Sequence, residues 1–349
     1  MRKSCGIRVV YRIPLIHLEV YMKVSDMHTL AVLNPFHSVV NTFDVKEGNG
    51  LLLGVKNDYH IHSSFINQLT STYAYQLHTV DHMAIGGRAI DLQLVNPITG
   101  RYMSGSSSGT AINVFLGMND IGIGSDGGGS VLAPAMSLNL FGFISYLIDE
   151  EHMNHYQKLS TDNILFRPSL GIIASDETKL YACIEKVISL DDKGIDRIIV
   201  SNDDETCYSF PVERVVYPDR YGPRQELIEY LNDVLPTIDF MISKEGPVDV
   251  EGFGDSVFGH FDDRTLQIQQ AAKKGFICVV NMAHATAITI PTSKLGVSYV
   301  GICESKEGKI GLMLEMMRKL VIPQDELIER YFRNPETWFR KGYGENNEI

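Results

Sequence analysis

The chain has 349 residues, of which 44% are hydrophobic, enough to bury a sizeable core and to exclude disorder over most of its length. Forty-three acidic against 31 basic residues leave a net charge of −12, which argues against a nucleic-acid surface and against attraction to an anionic membrane. The longest apolar runs, such as Leu140 to Ile148, reach about half of a membrane span.

At the start, Arg8, Arg12 and His17 interrupt the apolar core that a signal peptide needs, so a cytoplasmic location is expected. Residues 7–22 mix β-branched and aromatic residues around Pro14 and predict strands or a hairpin, a strand-rich segment over about 1–30. Leu51 to Val55 is an apolar run that predicts a buried strand closed by Lys56. A serine-rich start at Ser107 leads into Ala111, Ile112, Phe115 and Leu116, a helix with its N-terminus at the serines. Asp120 to Ile123 reads as a short strand entering a glycine loop. Asp149 to Asn163 lacks a sustained apolar period and predicts a surface excursion, either a plain insertion or a lid over a substrate.

Further on, helices are predicted over 177–188, 223–235, 265–274 and 311–320, with strands over 197–200, 240–242, 277–280 and 286–290. Such alternation points to a layered α/β protein, and with no repeat or linker the whole chain, 1–349, reads as a single domain. The Met-rich stretch 312–317 reads as core packing rather than a groove. Cys5, Cys183, Cys207, Cys278 and Cys303 are odd in number and widely spaced, without a C-x-x-C pair, and read as unpaired thiols. His60-x-His62 lacks a third spaced metal ligand.

The most telling stretch is Gly124-Ser-Asp-Gly-Gly-Gly-Ser130, whose serine follows Ser106 in Ser106-Ser-Ser-Gly109 by 24 residues. Glycine runs let backbone N–H groups converge on an oxyanion, and a serine beside them suits acyl transfer. A serine hydroxyl is a weak nucleophile at neutral pH and needs a base. No G-x-S-x-G elbow accompanies Ser130, which makes His82 or His284 poor partners for a Ser-His-Asp arrangement, and the loop lacks the G-K-[ST] ending of a phosphate cradle.

These residues resemble the amidase signature family, whose core is glycine- and serine-rich and ends in G-[ST]-D-x-G-G-S before an apolar stretch with proline, here Pro134-Ala135 and Leu140-Phe-Gly142. Leu53-Gly-Val-Lys-Asn-Asp58 looks like the family's lysine segment, and Thr79 to Gly86 and Asn96-Pro97 look like segments between the two. The likeness spans roughly residues 30–176 and thins beyond, where Ser169-Leu-Gly171, Asn281 and Thr289-Ile-Pro291 still resemble later stretches. It implies the amidase signature fold, a central mixed β-sheet flanked by helices. It further implies Ser130 as nucleophile, Ser106 as a bridging serine next to a cis peptide, and Lys56 as base.

Lys56 then has to be buried, because an exposed lysine keeps its proton far above neutral pH. Gly127, Gly128, Gly129 and Ser130 offer amides for the oxyanion, while Asp126 and Ser107 support the loop, Ser107 being equally a helix cap. No metal or cofactor enters this chemistry. The implied activity is hydrolysis of a small-molecule carboxamide at a linear C–N bond. An ammonia-releasing subunit of the amidotransferase type, transfer of the acyl group to another amine and a catalytically silent scaffold stay open, as does a homodimer. Three departures stand out: Leu132 where the family has arginine, His82 in place of a glutamate, and Asn57 where aspartate usually follows the lysine.

Overall fold

The computed structural model describes residues 23–71, 74–160, 163–191, 194–254 and 261–334. The hairpin expected over 7–22 lies outside them, and the strand-rich segment expected to run to about residue 30 is helical from Val24 onward. Helix α1 (Val24–Leu33) precedes strands β1 (Val39–Thr42) and β2 (Leu51–Lys56), then α2 (Ser63–Thr70) and β3 (Tyr75–Asp81). A small ladder of β4 (Ile90–Val95) and β5 (Tyr102–Ser104) leads to α3 (Ser108–Phe115), β6 (Ile121–Asp126), α4 (Leu132–Ser137) and β7 (Phe141–Ser145). The excursion after β7 forms a turn of helix, α5 (Glu150–Met153), and a ladder of β8 (Lys158–Leu159) with β9 (Leu165–Phe166). It is tied down by Arg167, which donates to the carbonyls of Glu150 and Tyr146 and to Asn154 Oδ1 at 3.2, 2.5 and 2.5 Å.

The second half holds β10 (Ser169–Ala174), α6 (Glu177–Val187), β11 (Ile198–Ser201), β12 (Glu213–Val215), α7 (Arg224–Val234) and β13 (Phe240–Glu245). Next come α8 (Asp263–Gln270), β14 (Ala285–Pro291), β15 (Ser298–Glu304) and α9 (Glu307–Arg318). Among the described residues eleven strands form one sheet in the order β1-β3-β2-β6-β10-β7-β14-β15-β13-β11-β12. It is mixed: β2 runs parallel to β3 and β6, whereas β10 is antiparallel to β6 and β7. Helices α3, α4 and α7 pack into one apolar layer and α2, α6 and α9 into the other. Met313, Met316 and Met317 of α9 are buried there.

Two expectations are corrected. The strand expected to stop at Ile123 continues through Gly124-Ser-Asp126, because β10 pairs with it as far as Ser169 opposite Asp126. The strand expected over 277–280 is instead a tight turn at Phe276–Cys278. Its first amides are held by a buried carboxylate: Phe276 N and Ile277 N donate to Glu245 Oε1 and Oε2 at 3.0 and 3.4 Å, and this satisfies the backbone without a neighbouring strand.

The alternation Ile121-Gly-Ile-Gly in β6 sets the geometry of the site. Ile121 and Ile123 enter the layer of α6, and the glycines face α3. A Cβ at Gly122 would collide with Thr110 Cγ2 and one at Gly124 would lie 2.6 Å from Ser107 Oγ, so the bare backbone lets α3 rest directly on the sheet. The serines at the start of α3 are thereby pressed against the end of β6.

Candidate active site

Parallel β2 and β6 end side by side, which brings Lys56 next to the Ser125-Asp126 end of β6. Leu52 to Val55 are buried between β3 and β6, and the chain keeps its extended course for one more residue, so the Lys56 side chain stays inside with 2% exposure. Its Nζ donates to Ser106 Oγ at 2.8 Å, to Ser125 Oγ at 2.9 Å and to the Ser125 carbonyl at 3.1 Å, and lies 3.2 Å from Asp58 Oδ2. Burial lowers the Lys56 pKa below the ordinary lysine value, and outweighs the opposing pull of Asp58 and Asp126.

Ser106 is buried and follows a cis peptide bond from Gly105. Its carbonyl accepts from Ala84 N at 3.1 Å, and the next amide, Ser107 N, donates to the Ser130 carbonyl at 3.0 Å. Ser107 is the N-cap residue of α3. The two serine segments are therefore joined through their backbones.

The glycine loop wraps around Asp126. Gly128 N and Gly129 N donate to Oδ1 at 2.9 and 2.6 Å, and Val131 N and Leu132 N donate to Oδ2 at 2.6 and 3.3 Å. Gly129 has φ +93°, a left-handed conformation that favours glycine. This corrects the expected oxyanion donors: the Gly128 and Gly129 amides are taken by Asp126. Among the described residues the Gly127 and Ser130 amides have no such partner. The half-buried Ser130 hydroxyl likewise makes no hydrogen bond there, to Ser106 or to any other side chain. Phe166 lies over Gly127, with its ring 3.0 Å from where a Cβ would stand, and the Cys278 carbonyl lies 3.4 Å from the corresponding point at Gly128.

Residues 86–145 match a family model described as Amidase, a segment that contains Ser106 and Ser130. The fold, a large mixed sheet flanked by helices, is similar to that of solved enzymes, one of them an amidase. The fold is the amidase signature fold. A glutamyl-tRNA(Gln) amidotransferase subunit from Thermotoga maritima aligns with a TM-score of 0.57 at 15% identity over 85% of this chain and 92% of that one. The allophanate hydrolase of Kluyveromyces lactis gives 0.58 at 12% identity over 85% and 69%. A 6-aminohexanoate cyclic dimer hydrolase complexed with substrate gives 0.60 at 13% identity over 90% and 96%. No curated protein sequence matches this chain.

Within the amidase fold each departure finds a local answer. Leu132 is fully buried, and Asp126 accepts four backbone N–H groups from its own loop. His82 Nε2 lies 3.2 Å from Asp91 Oδ2, and Asp91 also accepts the Ser108 hydroxyl at the start of α3. Asn57 is exposed, and the carboxylate beside the lysine comes one residue later, from Asp58. His60 and His62 have separate tasks: His60 Nδ1 bonds Asp58 Oδ1 at 2.5 Å, whereas His62 caps α2 by accepting from Ser64 N at 3.3 Å. His284 stacks on Tyr146 with ring centroids 4.6 Å apart. Asp58, Ser125 and His60 are the residues that the sequence reading did not place in the site. The serine inside G-S-D and the D-x-H following the lysine were the available signals.

Proposed function

We propose that this chain hydrolyses a carboxamide through an acyl-enzyme on Ser130, with Ser106 as proton bridge and Lys56 as base. The observation that carries this reading is the buried Lys56 amine, held 2.8 Å from the Ser106 hydroxyl. Ser130 Oγ attacks the carbonyl carbon. Its proton passes to Ser106 Oγ as the Ser106 proton passes to the neutral Lys56 amine. The oxyanion meets the amides of Gly127 and Ser130. The C–N bond breaks as Lys56 returns the proton through Ser106 to the leaving nitrogen. Water then attacks the acyl-enzyme, gives its proton to the same relay and releases the carboxylate as Ser130 is restored.

The substrate in this reading is a small amide with a linear C–N bond, neutral or cationic, in keeping with the acidic balance of the chain. A second reading, a silent amidase-fold scaffold, draws on the unbonded Ser130 hydroxyl and on the two loop amides held by Asp126. Labelling with a fluorophosphonate, followed by mass analysis of the modified peptide, separates them. Modification at Ser130 that is lost in Lys56→Ala supports the enzyme, and an unlabelled native chain supports the scaffold. A panel of aliphatic, aryl and amino-acid amides then tests the substrate class; preference for a long-chain acyl amide or an acidic amide overturns it.

A further inference from the structure

A base that must be uncharged stands 3.2 Å from a carboxylate, and that neighbour on its own favours the charged amine. How much of the Asp58 charge reaches Lys56 therefore matters to the reaction. The two Asp58 oxygens are divided between two sides. Oδ2 faces Lys56 and accepts the Ser125 hydroxyl. Oδ1 accepts from the backbone N–H of His60 at 3.1 Å and from the His60 ring at 2.5 Å.

His60 is itself buried at 2% exposure, wedged between Tyr59 at 4.0 Å and the edge of Tyr156 at 4.9 Å between ring centroids. Its Nε2 is buried and has no partner among the described residues. A carboxylate that accepts from Nδ1 fixes the proton on that nitrogen. Burial by itself would raise the Asp58 pKa; the His60 hydrogen bond, the Lys56 charge and the Ser125 hydroxyl outweigh it and hold the carboxyl well below the usual range.

We propose that His60 is a positioning residue for the reaction inferred above: by donating Nδ1–H to Asp58 it draws the carboxylate's charge away from Lys56 and fixes the carboxylate that holds Ser125, leaving a neutral amine aimed at Ser106. This rests on Lys56 acting as the base. Among the described residues the charged and titratable groups that face the pair can be named. His60 faces Asp58, Tyr59 and Tyr156, and Tyr156 Oη contacts His152 Nε2 at 3.2 Å. Lys56 feels Asp58 and Asp126, which favour its charge, and Lys158, which opposes it.

The bland alternative is a local turn. An aspartate oxygen that accepts the amide two residues on is an Asx turn, which any residue but proline at position 60 could complete. The ring hydrogen bond is what exceeds a turn, and it can be removed alone. His60→Phe keeps the aromatic packing and the backbone N–H but deletes the ring donor. His60→Asn restores a donor near the Nδ1 position, and His60→Gln places its amide too far out.

The measurement is the titration of Lys56 followed by NMR in protein carrying [ε-13C]lysine, with its signal assigned from its loss in Lys56→Ala. His60→Phe and His60→Gln are expected to raise the Lys56 midpoint by about one pH unit. His60→Asn should return it toward the native value. Asp58→Asn should lower it and make a second change at His60 silent. The acid limb of fluorophosphonate labelling should move with it. An unmoved Lys56 midpoint in folded His60→Phe and His60→Gln overturns the positioning role while leaving the base intact. Labelling of Lys56→Ala at the native rate overturns the base instead, whatever the midpoint does.

Discussion

The Lys56 amine and the Ser106 hydroxyl meet at 2.8 Å inside the protein, at the end of a strand that has no solvent face. Burial depresses the lysine pKa, so the base is present above its lowered value and lost as pH falls through it. Fluorophosphonate labelling or amide turnover is expected to fall toward acid pH along a single limb. Lys56→Ala is expected to lose about 10²- to 10⁴-fold in rate. The same shift acts on stability: between the lowered value and the ordinary 10.5 the unfolded chain binds the proton more tightly, so stability rises with pH there. Retention of the acid limb in Lys56→Ala would show that another group titrates.

Ser130 is half-buried, and among the described residues its hydroxyl has no hydrogen bond to lose. Ser130→Ala is therefore expected to abolish labelling and turnover while the melting temperature stays within about a degree, since removing a partly exposed hydroxyl without a partner costs within about ±0.5 kcal/mol. Its backbone contact to Ser107 survives the change. Labelling found on Ser106 or Cys303 of the native chain overturns the assignment of the nucleophile.

Much of this was legible because backbone constraints write themselves into residue types. Lys56 behind Leu51 to Val55 reads as a buried lysine, and the alternating glycines of β6 mark where α3 approaches the sheet. The turn at Phe276–Cys278 was not legible, because an apolar run with β-branched residues looks the same whether a strand or the Glu245 carboxylate satisfies its amides. Nor was the Asp58-His60-Ser125 cluster, since a carboxylate displaced by one residue reaches the lysine only through the course of the chain beyond β2. The partition of the loop amides depends on where Asp126 points, and a glycine run carries no record of that.

Leu132 invites a restoration of the arginine usual in the amidase signature family, and the structure argues against benefit. Both Asp126 oxygens already accept two N–H groups each. The Leu132 side chain instead fills the layer against β7, with Cδ2 3.3 Å from where a Gly142 Cβ would stand. Leu132→Arg is expected to destabilise by about 3 kcal/mol or more, through lost packing and a buried charge with little left to bind. Thermal melting reads this directly. A stability gain, or faster labelling, would mean that Asp126 lacks positive charge after all.

Asp81 offers a separate test away from the reacting atoms. Its carboxyl is fully buried behind Gly54, and Oδ1 accepts from Thr79 Oγ1 at 2.5 Å and Asn113 Nδ2 at 2.7 Å. Burial pushes its pKa up from 3.8 to about 6, against the pull of those hydrogen bonds. The native state therefore holds this proton more tightly than the unfolded chain. The associated stability is fully present below about pH 4 and is lost as pH rises through about 6, a difference on the order of 3 kcal/mol for a two-unit displacement. Asp81→Asn keeps an oxygen for Thr79 and Asn113 and cannot ionise. It is expected to match the native chain near pH 4 and to melt several degrees higher at pH 7.5. A melting difference that stays constant across that interval, or that favours the native chain at the higher pH, overturns the raised carboxyl.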